Sequence, residues 1–233
     1  MLTRPRIAAI AEIGLCSGVP TQLAIGTTLR AAGWSPYDAA GGLSLPFVLV
    51  LSLADTLLIV GLMIALTRAQ GQSVSDLWLG HRPAGREVMY GVLLVPVVFI
   101  LVVVLLNAMR AVAPGLHNVQ VNPLEQLAGT PGAAAMFALV AVLAGGVREE
   151  LQRAFLLRRF EQHLGGVRVG VVLLSIGLGL GHVVQGWDAV IGTGVLGAFW
   201  AVVYVRRRSV LAPMVSHSGF NALEVLRVAV WGA

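Results

Sequence analysis

The chain alternates between long apolar segments and short polar connections. Seven segments have the length of a membrane-spanning helix: Ile7–Leu29, Pro46–Thr67, Val88–Val112, Gly132–Leu157, Val169–Gln185, Ala189–Val205 and Ser209–Val230. A hydrocarbon core of about 30 Å requires ~20 apolar residues per spanning helix, and these segments contain few charges. The pattern therefore predicts an all-α fold, a polytopic transmembrane helical bundle of about seven spans (six to eight), in a single domain over residues 1–233.

The composition excludes several classes of soluble protein. Hydrophobic residues make up 57% of the 233 residues and charged residues only 12%, more apolar surface than one soluble core of this size needs to bury. The net charge of +5 comes from 16 arginines without any lysine, and these gather in the connections between apolar segments. We therefore expect the lipid bilayer, and no nucleic acid, as a partner. Cys16 is the only cysteine, so an internal disulfide cannot form.

The arginines also predict an orientation. Thirteen of them lie at the N-terminus and in or beside the second, fourth and sixth connections. The opposite side has Arg30 and Arg110, with Arg227 near the end of the last segment. Because positive charge accumulates on cytosolic loops, we expect a cytosolic N-terminus and an external C-terminus. An arginine-rich, lysine-free chain is typical of bacteria, so the expected location is the inner (plasma) membrane.

Two adjacent glutamates interrupt the fourth apolar segment. A charge inside a membrane costs roughly 2.5–3.5 kcal/mol on insertion scales, so Glu149 and Glu150 need a specific role, such as a general acid or base. In the alternative interpretation, the pair lies at the membrane surface, where Arg148 and Arg153 neutralise it. The helix continues to Arg158 and Arg159, a better cytosolic boundary. That boundary leaves Glu150 eight residues, or ~12 Å, inside the membrane.

Candidate polar groups also occur in the fifth and seventh segments. His217 and Asn221 are spaced i and i+4 on one helix face, and His217 is nine residues past Arg208, at a depth similar to that of Glu150. His182 follows the run 177–181 and is fourteen residues beyond Arg168. On straight helices His182 would lie several ångströms deeper, unless its helix starts late or tilts.

In these motifs the chain resembles the CAAX prenyl protease and bacteriocin-processing (CPBP) group of intramembrane proteases, also called the Abi family. The family pattern is a glutamate pair followed by arginine, then Phe-x-x-x-His, then His-x-x-x-Asn or Asp, on three helices. The corresponding residues here are Glu149-Glu150-Leu-Gln-Arg153, Leu178-x-x-x-His182 and His217-x-x-x-Asn221, within residues 147–223. Two positions differ: Arg153 comes one residue early, and Leu178 replaces phenylalanine.

The resemblance implies an intramembrane endopeptidase that forms no acyl-enzyme. Glu149 and His182 would activate water, His217 and Asn221 would stabilise the oxyanion, and Glu150 with Arg153 would hold the base. Membrane-associated peptides or proteins would be the substrates. Two glutamates and two histidines could also bind zinc, but no His-Glu-x-x-His motif is present, so we expect no metal or other cofactor.

The same polar residues suggest two other functions, a serine protease and a proton-coupled transporter. A serine protease of rhomboid type would use Ser218 as nucleophile and His182 as base, but it leaves the glutamate pair without a role. A proton-coupled transporter could use the glutamates and histidines as a relay. An inverted repeat or paired broken helices would support the transporter, and the sequence pattern indicates neither.

Overall fold

The computed structural model describes residues 3–232, and most of them are helical. The α-helices, in chain order, are α1 (Arg4–Leu15), α2 (Val19–Ala31), α3 (Leu45–Ala69), α4 (Val74–Trp78), α5 (Ala84–Val112), α6 (Pro131–Val140), α7 (Glu149–His163), α8 (Val167–Leu180), α9 (Trp187–Arg207) and α10 (Leu211–Trp231). A π-helix, Ala141–Arg148, joins α6 to α7. No β-strand occurs among these residues, so the all-α prediction is confirmed.

Within residues 3–232, five helical stretches are long and apolar enough to cross a membrane: Arg4–Ala31, Leu45–Ala69, Ala84–Val112, Pro131–His163 and Trp187–Arg207. They coincide with the first four predicted spans and the sixth. The fifth appears as α8, whose 14 residues extend roughly 21 Å. The seventh appears as α10, which carries Glu224 and Arg227 and is outside those five. The helical membrane bundle is thus confirmed, whereas the number of spans stays a prediction.

The first span, predicted over Ile7–Leu29, is interrupted in its middle, a feature that the apolar pattern does not indicate. The chain leaves α1 at Cys16 and restarts at Val19, with Gly18 in the left-handed region at φ 91°. Glycine adopts this conformation without steric cost, and Pro20 fits the first turn of α2, where no amide donor is needed. The break frees the carbonyl of Cys16, which accepts a hydrogen bond from the side chain of Gln152.

The fourth span runs from Pro131 to His163 without interruption, but its hydrogen-bond pattern changes along the way. Thr130 begins α6 by accepting a hydrogen bond from the amide of Ala133 at 3.2 Å. The π-helix then widens the helix over two turns, and Glu149 starts α7 directly after it. Such π segments often occur at functional sites because they change the direction in which side chains leave the helix.

Helix α7 lies at the centre of the bundle. Its residues Phe155 and Leu157 are buried with Ile59 and Met63 of α3 and with Tyr204 of α9. The same helix buries four polar or charged side chains, namely Glu150, Gln152, Arg153 and Arg159. These four polar groups therefore face the protein interior and not the lipid, as an ionisable residue at membrane depth requires.

The outer helices show the expected division between lipid-facing and packed surfaces. On α5, Leu93, Ile100 and Val104 are 61%, 65% and 61% exposed, in agreement with a lipid-facing role. Between α8 and α9, a Cβ added to Gly179 would lie 2.5 Å from the carbonyl oxygen of Val190. The two helices therefore approach as closely as small interface residues permit.

A buried ion pair joins the first and fourth spans. Arg159 is fully buried and donates to the carboxylate of Glu12, which also accepts from Gln70. The guanidinium of Arg159 donates to Gln72 at 3.3 Å and lies 4.3 Å above the ring of Phe155. This cluster fixes α1 and the end of α3 against α7.

Candidate active site

Glu150 and His217 form the centre of the candidate site. His217 Nδ1 lies 2.9 Å from Glu150 Oε1, and the same oxygen accepts from Arg153 Nη1. All three residues are buried, with Glu150 only 1% exposed, and Glu150 Oε2 has no hydrogen-bond partner among the described residues. The sequence prediction that α7 and α10 bring these groups to one level is therefore confirmed, and Arg153 contacts Glu150 despite its shifted spacing.

The imidazole of His217 is held from two directions. Its ring stacks on the indole of Trp200 in α9, with centroids 3.8 Å apart and planes 14° from parallel. Trp200 is fixed in turn, because its Nε1 donates to Ser216 Oγ at 3.2 Å. A carboxylate only accepts, so the Nδ1 facing Glu150 carries the proton. The second nitrogen, Nε2, makes no hydrogen bond with residues 3–232 and is available to a ligand.

Glu149 has a different environment from its neighbour. Its side chain is 18% exposed, and its nearest charged partner is Arg148, whose Nη2 lies 3.7 Å from Glu149 Oε1. That distance is too long for a hydrogen bond, and no described residue donates one to this carboxylate. The carboxylate of Glu150 is thus held by hydrogen bonds, whereas the carboxylate of Glu149 is not.

Helix α10 approaches the π-helix closely at two glycines, Gly145 and Gly146. A Cβ on Gly146 would lie 2.7 Å from Ser218 Cα, and one on Gly145 would lie 2.5 Å from Asn221 Nδ2. This approach lets Asn221 Nδ2 donate to the carbonyl oxygen of Ala141 at 2.9 Å. One amide hydrogen of Asn221 is therefore used by the backbone, and the second stays available.

His182 lies apart from this network. It follows the last turn of α8, where its half-buried ring makes a 2.8 Å hydrogen bond with the carbonyl oxygen of Leu178. Within the described chain, no hydrogen bond or ion pair joins it to Glu149, Glu150, His217 or Asn221. The late helix start that would reduce its depth does not occur, because α8 begins at Val167.

The geometry supports neither a serine nucleophile nor a zinc site among the described residues. Ser218 Oγ is buried without a partner in residues 3–232, so His182 does not activate it. Over the same residues, no group of three or more His, Cys, Asp or Glu side chains is placed to hold a metal ion. Because a catalytic zinc commonly takes three protein ligands, these residues do not fit a zinc centre. The metal-free assignment itself stays a prediction.

A cleft adjoins the site from the side that carries the loop after α3. Its volume is about 650 Å³, and it is lined by residues that include Arg68, Trp78, Leu151 and Met214. Leu151 directly follows Glu150 in the chain. Met214 precedes His217 by one helical turn. The sequence motifs predict that Glu149, Glu150, His182, His217 and Asn221 line one water-accessible cavity. This stays a prediction, because the cleft is lined by their neighbours.

Sequence reasoning missed two residues near the site, Asp55 and Trp200. Asp55 of α3 is 1% exposed, and its Oδ2 lies 3.9 Å from Arg148 Nη1. An isolated acid inside an apolar segment is a sequence signal, so Asp55 could have been recognised. Trp200 carried no such signal, because tryptophan is common in membrane helices for packing alone.

Comparison with known proteins gives one finding. A family model described as Type II CAAX prenyl endopeptidase Rce1-like matches residues 131–223, from the start of α6 into α10. No curated protein and no solved structure matches the chain. The matched segment contains Glu149, Glu150, Arg153, His182, His217 and Asn221, and the resemblance inferred from the motifs is thereby confirmed for this part of the chain.

Proposed function

Since residues 131–223 are similar to Type II CAAX prenyl endopeptidases, we propose that this protein is an intramembrane endopeptidase that hydrolyses peptide bonds of membrane-associated peptides or proteins. One observation carries the proposal beyond the family match. Buried Glu150 orients His217, and the residue before it in the chain, Glu149, accepts no hydrogen bond from the described residues. Such a combination supplies both an oriented imidazole and a base for water.

Glu149 takes the proton from the attacking water in this proposal. Its carboxylate is partly exposed and lies near one arginine without a hydrogen bond, so its lone pairs are available. Glu150 is less suited to this step, because Arg153 and His217 both donate to its Oε1. A positioned general base contributes about 10²–10⁴-fold to a rate.

His217 stabilises the oxyanion of the tetrahedral intermediate. With Nδ1–H directed at Glu150, the neutral ring offers a lone pair at Nε2, so donation to an oxyanion requires the doubly protonated imidazolium. The carboxylate of Glu150 compensates that charge. The same imidazolium then gives its Nε2 proton to the departing amine as the C–N bond breaks. The proton that Glu149 took from water returns to His217, which restores the starting protonation of both residues.

Asn221 and His182 complete the proposed set. The second amide hydrogen of Asn221 is directed to the oxyanion, while the first holds the carbonyl of Ala141. His182 assists Glu149 in activating water once substrate is bound, because catalytic hydrogen bonds are often formed only in the complex with substrate. No metal ion takes part.

The substrate approaches from the predicted cytosolic side. The cleft beside Leu151 and Met214 combines apolar walls with Arg68 and with the hydroxyl groups of Ser73 and Ser75. An apolar segment of a membrane-bound peptide fits this lining, with a polar end near the arginine. We also propose that the protein resides in the bacterial inner membrane with a cytosolic N-terminus.

A proton-coupled transporter is the second candidate, favoured by the interrupted first span. Broken helices line ion and substrate sites in transporters, and the break at Gly18 lies near the buried Asp55. Reconstituted protein that acidifies or alkalinises liposomes without cleaving any peptide would support this function over the protease.

The test of the proposed function is proteolysis of a library of membrane-bound peptides by purified protein in detergent. Wild type is compared with Glu149→Gln and with Glu161→Gln, which alters a carboxylate paired with Arg158 and Arg208 outside the site. We expect Glu149→Gln to lose about 10²–10⁴-fold in turnover, and Glu161→Gln to stay near wild type. Equal activity of Glu149→Gln and wild type would refute the assigned base.

A further inference from the structure

Asp55 is a charged group buried within the second span. It lies ten residues after the start of α3 and is 1% exposed. Its carboxylate accepts hydrogen bonds from Thr21 Oγ1 and, at 3.2 Å, from Gln22 Nε2, both in α2 just beyond the break in the first span. A carboxylate at this depth is costly and requires a compensating cation.

Arg148 is the cation that lies near it. Arg148 Nη1 is 3.9 Å from Asp55 Oδ2 and donates to Gln152 Oε1 at 2.9 Å, while Nε donates to the carbonyl oxygen of Ala144 at 3.2 Å. The remaining nitrogen, Nη2, faces Glu149 Oε1 at 3.7 Å. The guanidinium is thus fixed between two carboxylates, one from α3 and one from its own helix.

We propose that Asp55 is a positioning residue that acts through Arg148 to keep the carboxylate of Glu149 available as a base. The inference rests on the proposed function and extends it to Asp55, which lies outside the matched segment. Asp55 balances part of the charge of Arg148 and holds the guanidinium away from hydrogen-bond distance of Glu149. Without that balance, Arg148 interacts more strongly with Glu149, and the carboxylate becomes a weaker base.

The groups facing this arrangement are few. From α2, the neutral side chains of Thr21 and Gln22 contact Asp55. From α7, Gln152 and Glu149 face Arg148. Among the described residues, Asp55 and Glu149 are the carboxylates within 4 Å of the arginine. A change in the charge of Asp55 therefore affects Glu149 through a single intermediate.

The first test is the pH–rate profile of Asp55→Asn in full-length protein. Loss of the negative charge leaves Arg148 to stabilise ionised Glu149, so the acidic limb of the profile should move to lower pH and kcat should fall about tenfold with little change in KM. This is less than the ~10²–10⁴-fold loss expected when the base itself is removed. Asp55→Glu, which keeps the charge, should recover most of the activity.

Glu87→Gln is the matched control, because Glu87 is an equally buried carboxylate that pairs with Arg207, away from Glu149. Its profile should keep the wild-type limb even if its stability falls. An unshifted limb in Asp55→Asn, or the same shift in Glu87→Gln, overturns the inference while leaving the protease intact. Absence of any wild-type hydrolysis would instead refute the proposed function.

A second measurement does not depend on activity. The carboxyl stretching band of Glu149 can be followed by infrared titration and assigned by its loss in Glu149→Gln. We expect Asp55→Asn to move the midpoint of this band to lower pH relative to wild type. An unchanged midpoint overturns the coupling of Asp55 to Glu149, whatever the substrate is.

Discussion

Gly146 is the position where a single added methyl group should move the site residues of α10 away from those of α7. A Cβ at this position would lie 2.7 Å from Ser218 Cα and 2.8 Å from Ser218 Cβ. Ordinary contact begins at 3.4 Å, so α10 must retreat from the π-helix by roughly 0.7 Å. Because the nearest carbon is a backbone atom, no side-chain rotation relieves the contact.

Gly146→Ala should therefore affect both stability and turnover. Overpacking of this kind costs about 1–3 kcal/mol in the free energy of unfolding. The retreat carries His217 and Asn221 away from Glu149, and a displacement of about 1 Å costs ~10²-fold in rate, so kcat/KM should fall by roughly 10–100-fold. Both quantities are measurable on protein in detergent, by thermal unfolding and by peptide hydrolysis.

Gly61→Ala provides the control, because a Cβ there meets nothing within 4 Å although the residue also lies inside a span. Its unfolding temperature and turnover should match wild type. If Gly146→Ala behaves like Gly61→Ala in both assays, the close approach of α10 to the π-helix does not position the site, and the reasoning is refuted.

Three further predictions follow from the same structure. Asn221→Ala should reduce turnover by about 10²–10³-fold through loss of an oxyanion donor, and should lower stability by about 0.5–1.5 kcal/mol through loss of its hydrogen bond to the carbonyl of Ala141. Asn107→Ala, which removes an exposed amide that donates to its own helix, should change neither turnover nor stability. Chelators should leave peptide hydrolysis unchanged. One zinc ion bound per purified protein molecule would contradict this, if activity is lost when the zinc is removed and restored when it is added back. Glu12→Ala should destabilise the protein by about 3–5 kcal/mol in thermal unfolding, because Arg159 stays buried without its carboxylate. Adding Arg159→Met to Glu12→Ala should recover most of this loss, and a double variant as unstable as Glu12→Ala would refute the pairing.

The parts of the fold that sequence could predict are those set by local pattern. Apolar length alone located α3, α5 and α9, and helical spacing alone placed His217 and Asn221 on one face of α10. The interruption at Gly18 was missed because hydrophobicity continues across it. Only the glycine conformation and Pro20 mark the break, and glycine and proline are also common in unbroken membrane helices.

The candidate site required packing information that a sequence does not contain. The spacing of Glu150 and Arg153 was visible, but the shared oxygen that joins Arg153 to His217 depends on how α7 and α10 meet. The π-helix has no distinct pattern beyond Gly145 and Gly146, yet it sets the direction of the glutamate pair. Likewise, the stacking of Trp200 on His217 follows from the position of α9, which no local rule determines.

The buried ion pairs have a consequence for the order in which the protein is made. Glu12 is paired with Arg159, which lies 147 residues later in the chain, and Asp55 meets its arginine only in the fourth span. When the ribosome has delivered the first two spans to the membrane, both carboxylates lack their partners. The early spans therefore complete their charge pairing only after the fourth span has been synthesised and inserted. Stable packing of the first two spans thus depends on the fourth.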